Sequence, residues 1–344
     1  MNITEINNMI YNDDQYRFLW EDGRIKDRLC LVTLGGSYAY GMNKESSDVD
    51  IRGIATNSYQ EILLGKDFDQ VVEVDTDTTI YSMNKILQLL TSCNPNTIEI
   101  LGCRPEQYLI MTDIGRELVN HKKMFLSKIC IHTFGGYAGS QLRRLENKAA
   151  RLVAQSENEK YILQSVKRSM YSITEKYPEL KDGEKIDLFI DKSNQDGYDT
   201  EIFLNVVLNH YPLRDWAGLW NEMKSIVSSY SKIGKRNDHA ISHDKLGKHM
   251  AHLLRLYMMV IDILEKEEII TYREDEHDLL MKIRNGEFLD ENRQPKDEFY
   301  DILNEYERRF EYAQENTSLP DKPNYKEIEE FKIYVNEQIV RDRM

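Results

Sequence analysis

Two short groups of residues near the N-terminus have the types and the spacing to act on phosphates. The first is Gly35-Gly36-Ser37, in which the glycines permit a sharp turn that presents backbone amides to an anion and the serine adds a hydroxyl. The second is Asp48-x-Asp50, followed by Arg52. Its two carboxylates offer the hard oxygen ligands that Mg²⁺ takes in proteins, usually together with substrate phosphates. The combination indicates a phosphate cradle beside a metal platform, which is the equipment for transferring a phosphoryl or nucleotidyl group.

Local sequence patterns predict the elements that must position these groups. The apolar run 31–34 predicts a buried strand that ends at the glycines, and residues 38–40 can begin a helix. A strand over 48–53 would alternate between two faces, with Val49 and Ile51 in the core and the two aspartates and the arginine on the opposite face. Paired carboxylates on one strand are costly to bury without partners, and this favours a functional site.

The complete pattern resembles a known family. Gly36-Ser37-x-Ala39-x-Gly41, followed by Ser47-Asp48-x-Asp50-x-Arg52-Gly53, looks like the signature of the DNA polymerase β-like nucleotidyltransferase superfamily, in particular the predicted nucleotidyltransferases associated with RNA-repair (RNA ligase) pathways. The resemblance implies an α+β fold, with a small mixed sheet and helices in the catalytic core and a helical domain after it. We expect a catalytic domain over 1–125 and a mainly helical domain over 126–344.

The resemblance also implies a reaction and its cofactor. A nucleoside monophosphate would pass from a nucleoside triphosphate to an acceptor hydroxyl, with release of pyrophosphate and with Mg²⁺, or alternatively Mn²⁺, held by acidic residues. Gly36 and Ser37 are then expected to hold the outer phosphates, while Arg52 either neutralises charge or pairs with an aspartate. A covalent role for Ser37 is disfavoured because no histidine lies nearby in the sequence to activate it.

Two-metal chemistry generally needs a third carboxylate from a neighbouring strand. Residues 71–81 read as a hairpin with a turn at 75–77, and Asp77 enters its second strand. We therefore predict that Asp48, Asp50 and Asp77 form the catalytic, metal-binding set. Asp75 and Glu73 are the alternatives to Asp77 as the third ligand. Asp77 could instead be an ordinary turn aspartate with no role in metal binding.

A helix is predicted over 82–93, after which Asn94 and Pro95 have the residue types of an N-cap and a first helical position. The following Glu99 fits the same family. A glutamate on a helix surface is the favoured interpretation, and a glutamate that faces the site is the alternative. From about residue 108 the sequence reads as mostly helical. Residues 134–141 read as a glycine-rich interruption, for tight packing or for nucleotide contact, and 192–197 read as a loop.

A basic stretch lies on a predicted helix that begins at Lys245. Five basic side chains recur there at helical spacing and are candidates for contacting nucleic acid: Lys245, Lys248, His249, His252 and Arg255. The alternative is an ordinary solvated helix face. Metal binding by the two histidines is disfavoured because no third ligand is apparent. This segment and Ile283–Glu287 also resemble the repair-associated family, and further helices are predicted over 262–268, 274–284, 297–314 and 325–341.

Composition limits the choice of function class. The chain has 344 residues, enough for two domains, and a formal net charge of −14 whose acidic excess lies mostly beyond residue 262. Such a protein can still handle RNA or DNA on a local basic surface. The spacing of the four cysteines disfavours a zinc site. With no apolar signal core or membrane-length run, we expect a cytoplasmic protein without a membrane partner. The alternatives to an RNA or DNA end as acceptor are a small molecule or a protein, or an inactive nucleotide- or RNA-binding module.

Overall fold

A five-stranded mixed sheet supports the region that carries the predicted cradle. The computed structural model describes residues 1–150, 186–192, 200–231, 244–291 and 294–342. The strands are β1 Leu29–Leu34, β2 Ile51–Ala55, β3 Gln70–Glu73, β4 Thr78–Ser82 and β5 Tyr108–Met111, in the order β3-β4-β2-β1-β5. The β2–β4 pair is parallel and the other neighbouring pairs are antiparallel. The predicted hairpin over 71–81 is therefore confirmed as β3 and β4.

One face of the sheet is closed by the N-terminal helices α1 Ile3–Asn12 and α2 Phe18–Glu21. The apolar side chains between them form a core whose members are almost fully buried, among them Ile6, Ile10, Leu19, Val32, Leu34, Ile51 and Ile80. Burial of such side chains contributes about 1.5–3 kcal/mol each relative to exposure. The opposite face of β2 is therefore available for polar side chains.

The strand predicted over 48–53 begins only at Ile51. Its pairing with β1 starts at Leu34↔Ile51, because β1 ends there and the chain turns at Gly35. The predicted alternation is confirmed in part, since Ile51 is fully buried and Val49 packs against the core. The two aspartates lie in the segment just before the strand.

The remaining helices of the N-terminal region are short. They are α3 Gly36–Ala39, α4 Tyr59–Leu64, α5 Met83–Thr91, α6 Pro95–Ile98 and α7 Asp113–Asn120, with 3-10 turns at Asp14–Tyr16, Glu99–Gly102, Pro105–Gln107 and Lys122–Phe125. The predicted cap is confirmed, because the Asn94 side chain accepts a hydrogen bond from the Asn96 amide and Pro95 opens α6. This cap fixes the direction in which the chain enters the Glu99 turn.

The glycine-rich interruption predicted over 134–141 is wrong, since helix α8 Ile129–Ala150 runs through it. Phe134, Ala138 and Leu142 recur at four-residue spacing and are buried. Burial of this stripe outweighs the cost of about 1 kcal/mol that each glycine adds to a helix. The glycines allow no specially close approach, because a Cβ at Gly136 or Gly139 would have no heavy atom within 4 Å.

The described part of the second half contains two strands besides its helices. Strands β6 Ile186–Lys192 and β7 Thr200–Val206 form an antiparallel hairpin. The predicted loop at 192–197 falls, after Lys192, outside the described residues. The later helices are α9 Leu213–Ser231, α10 Asp244–Lys266, α11 His277–Arg284, α12 Asp297–Asn316 and α13 Tyr325–Arg341. Among the helices in the described ranges, none is both long enough and apolar enough to cross a membrane.

The chain divides into two compact units, each made of separate segments. The first unit contains residues 1–137, 254–281 and 304–344, and the second contains 138–253 and 282–303. The boundary expected at residue 125 differs from this division, because two later segments return to the unit that contains the five-stranded sheet. Hydrophobic periodicity does not reveal that distant segments pack into one unit, since it reports only on residues that are close in the chain.

Candidate active site

Three chain segments meet at one edge of the five-stranded sheet. Strand β1 ends at this edge and continues into Gly35, while β2 and β4 begin there in parallel, with Ile51 opposite Thr78. The residues immediately before these two strands are Asp50 and Asp77. Backbone hydrogen bonds join the segments, from the Gly35 amide to the Asp50 carbonyl at 2.8 Å and from the Ile51 amide to the Asp77 carbonyl at 3.3 Å. The topology thus brings together the predicted cradle and two of the predicted acids.

Gly36 lies directly against the Asp50 side chain. Its φ of +51° is in the left-handed region, and a Cβ built there would overlap the Asp50 carboxylate. The backbone conformation therefore favours glycine at this position, and a larger residue would have to displace the Asp50 carboxylate. The backbone of the cradle and the carboxylate face the same small volume, as the sequence pattern predicted.

Ser37 is half-buried in the short helix α3, and its carbonyl accepts a hydrogen bond of 2.9 Å from the Met42 amide. Gln107, which sequence reasoning missed, holds this helix from behind. Its side-chain amide donates to the carbonyls of Tyr38 and Ala39 at 2.9 and 3.0 Å, and Gln107 is only 3 % exposed. The cradle is therefore fixed by a buried amide as well as by its own turn.

We expect the substitution Gln107→Leu to lower the free energy of unfolding by about 1–3 kcal/mol, because it removes the donors for buried carbonyls. Urea denaturation of the purified variant measures this change. Gln88→Leu is the matched control, since Gln88 is exposed on α5. Equal stability of the two variants would contradict the role given to Gln107.

Asp77 forms an ion pair with the predicted nucleotide-binding residue Arg52. The Arg52 guanidinium donates to the Asp77 carboxylate at 3.2 Å and to its carbonyl at 2.5 Å. The Asp77 side chain is 61 % exposed, and its φ of +42° belongs to the turn before β4. Arg52 therefore adopts the second of its two predicted roles, pairing with an aspartate.

The alternatives to Asp77 are less well placed. Glu73 is in register with Thr78, on the face of β3 that also presents Val71 to the core, so it points away from the face that carries Arg52. Asp75 is exposed in the turn between β3 and β4. Neither residue directly precedes a strand that begins beside Asp50.

The donor chemistry of this edge fits a hard divalent cation in part. Asp48 is exposed and Asp50 is half-buried, and both supply carboxylate oxygens. Across the described ranges, however, no three acidic, histidine or cysteine side chains are close enough together to hold a metal ion. The Arg52–Asp77 pair explains why Asp77 does not complete such a group, because its carboxylate faces the guanidinium. Two of the three predicted ligands thus suit a cation, and the third is held by an arginine.

A cluster of Tyr40, Glu99 and Arg255 supports the cradle from inside the first unit. The Tyr40 hydroxyl donates to the Glu99 carboxylate, and the Arg255 guanidinium lies over the Tyr40 ring. Thr271 donates to the Glu99 carbonyl at 2.8 Å. The interpretation of Glu99 as a helix-surface residue is therefore wrong, because the Asn94 cap turns the chain so that this side chain meets Tyr40.

The same cluster corrects the prediction for Arg255. This residue is only 7 % exposed and stacks on Tyr40, so it does not belong to an exposed basic face. Of the other predicted contacts on α10, Lys248 is exposed and His249 and His252 are half-buried. The side chain of Lys245 lies outside the described residues. The predicted nucleic-acid face is thus reduced to the N-terminal turns of the helix.

Burial raises the pKa of the Glu99 carboxyl, and the opposing effects of Arg255, the Tyr40 hydroxyl and Arg52 do not cancel this. Burial also raises the pKa of Tyr81, with Arg52 opposing and Glu99 reinforcing the shift. The strand register places Arg52 and Tyr81 on the same face of the sheet. The charge of Glu99 therefore acts on the same arginine that contacts Asp77.

A raised pKa in the folded state has a consequence for stability. Because folded Glu99 holds its proton to higher pH than unfolded Glu99, the wild type should lose stability relative to Glu99→Gln as pH rises from about 4.3 through the folded pKa. Urea denaturation of both proteins across pH 4–8 measures the difference. A stability difference that does not change with pH would contradict this assignment.

Sequence reasoning missed Gln107 and Tyr81 as site residues and did not single out Tyr40. Tyr40 lies inside the glycine-serine motif, and Glu99 follows the Asn94-Pro95 cap at a spacing that the family shares, so both left a sequence signal. Gln107 and Tyr81 left none, because only the strand pairing brings them to this face.

No curated protein and no solved structure matches this chain. A family model described as "RNA repair pathway DNA polymerase beta family" matches residues 17–173, which include the cradle, the Asp48-x-Asp50 pair, Asp77 and Glu99. The segments around Lys248 and Ile283 lie beyond the match. Residues 17–173 are thus similar to the RNA repair pathway DNA polymerase beta family, which supports the family resemblance predicted from the motif.

Proposed function

We propose that this protein transfers a nucleoside monophosphate from a nucleoside triphosphate to a hydroxyl at the end of an RNA strand, or of a DNA strand, with release of pyrophosphate. The observation that carries the proposal is the contact between Gly36 and the Asp50 carboxylate. It sets the backbone proposed to bind phosphate beside the carboxylate proposed to bind the cation. The similarity of residues 17–173 to the RNA repair pathway DNA polymerase beta family supports both the reaction class and a nucleic-acid acceptor.

The roles of the residues follow from their chemistry. The backbone at Gly36 and the Ser37 hydroxyl would hold the outer phosphates and so align the triphosphate for in-line attack. Mg²⁺ or Mn²⁺, held by Asp48 and Asp50, would supply neutralisation of the phosphate charge. The acceptor oxygen forms a bond to the α-phosphorus as the bond to the bridging oxygen breaks. Pyrophosphate leaves, and the hydroxyl proton passes to water.

Arg52 and Asp77 form the part of this proposal that depends on rearrangement. For Asp77 to act as the third ligand, its carboxylate must leave Arg52, which would then be available to the triphosphate. An exposed ion pair of this kind contributes at most about 1 kcal/mol, so exchange of partners is energetically accessible. We also propose a cytoplasmic setting, which the four free thiols support.

The test is transfer of label from each α-³²P-labelled nucleoside triphosphate to single-stranded RNA and DNA, with Mg²⁺, with Mn²⁺ and with EDTA. Labelled polymer that requires the cation and is accompanied by pyrophosphate would support the proposal. Label in protein or metabolite fractions would point to a different acceptor. Triphosphate binding with no pyrophosphate release under any condition would indicate an inactive binding module and overturn the proposal.

A further inference from the structure

Helix α9 of the second unit carries two tryptophans whose rings are open to solvent. Trp216 and Trp220 are 39 % and 56 % exposed. Their rings stack on each other, with centroids 6.1 Å apart and planes inclined by 27°. Tryptophan is highly buried on average, so a stacked pair open to solvent is a feature that needs an explanation.

The helical repeat gathers these rings into one face. Residues 213, 216, 220 and 224 are three to four positions apart and therefore lie on one side of α9. Leu213 is 83 % exposed and Lys224 is exposed, whereas Leu219, at the border of this face next to Trp216, is only 2 % exposed. The helix thus packs through Leu219 and presents the tryptophan face, made of Leu213, Trp216, Trp220 and Lys224, to solvent.

One cation extends this face. Lys224 follows Trp220 by one helical turn and is exposed. An aromatic face with a neighbouring cation is a combination that binds single-stranded nucleic acid, through base stacking and phosphate contact.

We infer that the tryptophan face of α9 binds unpaired bases of a single-stranded nucleic acid. Indole rings stack on any base, so binding there should tolerate sequence, whereas a duplex keeps its base faces covered. The inference rests on the proposed function to the extent that the acceptor is a nucleic-acid strand. It adds a binding surface for that strand, and it leaves open which hydroxyl reacts.

The protein's own fluorescence can report on this face. The chain has three tryptophans, and the third, Trp20, stacks on Tyr11 at 4.8 Å in the first unit. Trp20→Phe keeps an aromatic ring there and leaves Trp216 and Trp220 as the only indoles. This full-length variant is titrated with a 12-nucleotide single-stranded RNA, with a duplex of the same length and with polyphosphate. EDTA is present and triphosphate is omitted, so catalysis plays no part.

We expect the single strand to quench the emission, and the duplex and polyphosphate to do so much less. Trp216→Ala and Trp220→Ala, measured by fluorescence anisotropy of a labelled RNA, should each weaken binding about 5- to 150-fold, the loss of one base–aromatic stack. Trp→Phe at either position should restore most of the affinity. Lys224→Ala should instead flatten the dependence of log affinity on log salt by about 0.7. Tyr312→Ala, which removes a 65 % exposed aromatic from α12, is the matched control.

Three results would overturn the inference. One is unchanged RNA affinity in both Trp→Ala variants, and another is equal quenching by the duplex. The third is tryptophan-dependent self-association in sedimentation without an effect on RNA, which would make the face a contact between copies of the chain. Asp50→Asn should bind RNA as the wild type does. RNA binding by the tryptophan face without nucleotidyl transfer would therefore contradict the proposed function alone. Nucleotidyl transfer without any effect of the tryptophan variants on RNA binding would contradict this inference alone.

Discussion

Replacing Asp50 by asparagine should reduce nucleotidyl transfer by about 10³-fold or more while the protein remains folded. The amide has the shape of the carboxylate but cannot neutralise a cation, and the loss of such charge stabilisation amounts to several kcal/mol of barrier. Incorporation of label from an α-³²P-labelled triphosphate at saturating Mg²⁺ measures the rate. Urea denaturation shows whether the fold survives, which we expect because the half-buried side chain keeps its volume.

Two further variants make this prediction specific. Asp75→Asn is the matched control, because Asp75 is an exposed residue of the same turn and lies two positions before Asp77. Asp77→Asn separates the two roles of that residue, since asparagine also tolerates the positive φ observed there. If Asp77 is a metal ligand, Asp77→Asn should raise the Mg²⁺ concentration needed for activity. If Asp77 only pairs with Arg52, that concentration should stay unchanged. Full activity of Asp50→Asn would exclude the proposed site.

The second large effect is expected from Gly36→Ala. An alanine in the left-handed region costs about 1–2 kcal/mol, and its Cβ would overlap the Asp50 carboxylate, which adds about 1–3 kcal/mol of overpacking. The variant should therefore lose about 2–5 kcal/mol of unfolding free energy together with its affinity for triphosphate. Urea denaturation and binding of a fluorescent triphosphate analogue measure the two losses.

Gly65→Ala separates strain from overlap. Gly65 ends α4 with a φ of +62°, but a Cβ there would meet no heavy atom within 4 Å. This variant should lose only the conformational cost of about 1–2 kcal/mol and keep its triphosphate affinity. If Gly36→Ala behaved like Gly65→Ala in both measurements, the contact between the cradle and Asp50 would not be the basis of the site.

The sequence alone determined the local elements and the chemical character of the site. The apolar run before Gly35 identified β1, the hairpin pattern identified β3 and β4, and the Asn94-Pro95 pair identified a cap. These succeed because strand alternation, capping and turn chemistry act between neighbours in the chain. The motif around Ser37 and Asp48-x-Asp50 also indicated the family to which residues 17–173 are similar, because side-chain types at fixed spacing are readable without a fold.

Pairings between distant segments were decided only by the tertiary structure. The parallel alignment of β2 with β4 places Asp77 beside Asp50, where the Asp77 carboxylate pairs with Arg52. No local sequence pattern shows whether Asp77 pairs with this arginine or is available to a metal ion. Burial also explains why Arg255 stacks on Tyr40 and does not belong to the basic face. It likewise explains why α8 continues through its glycines. Such outcomes depend on which surfaces exclude water together, and that is a property of the assembled chain, absent from any short segment of it.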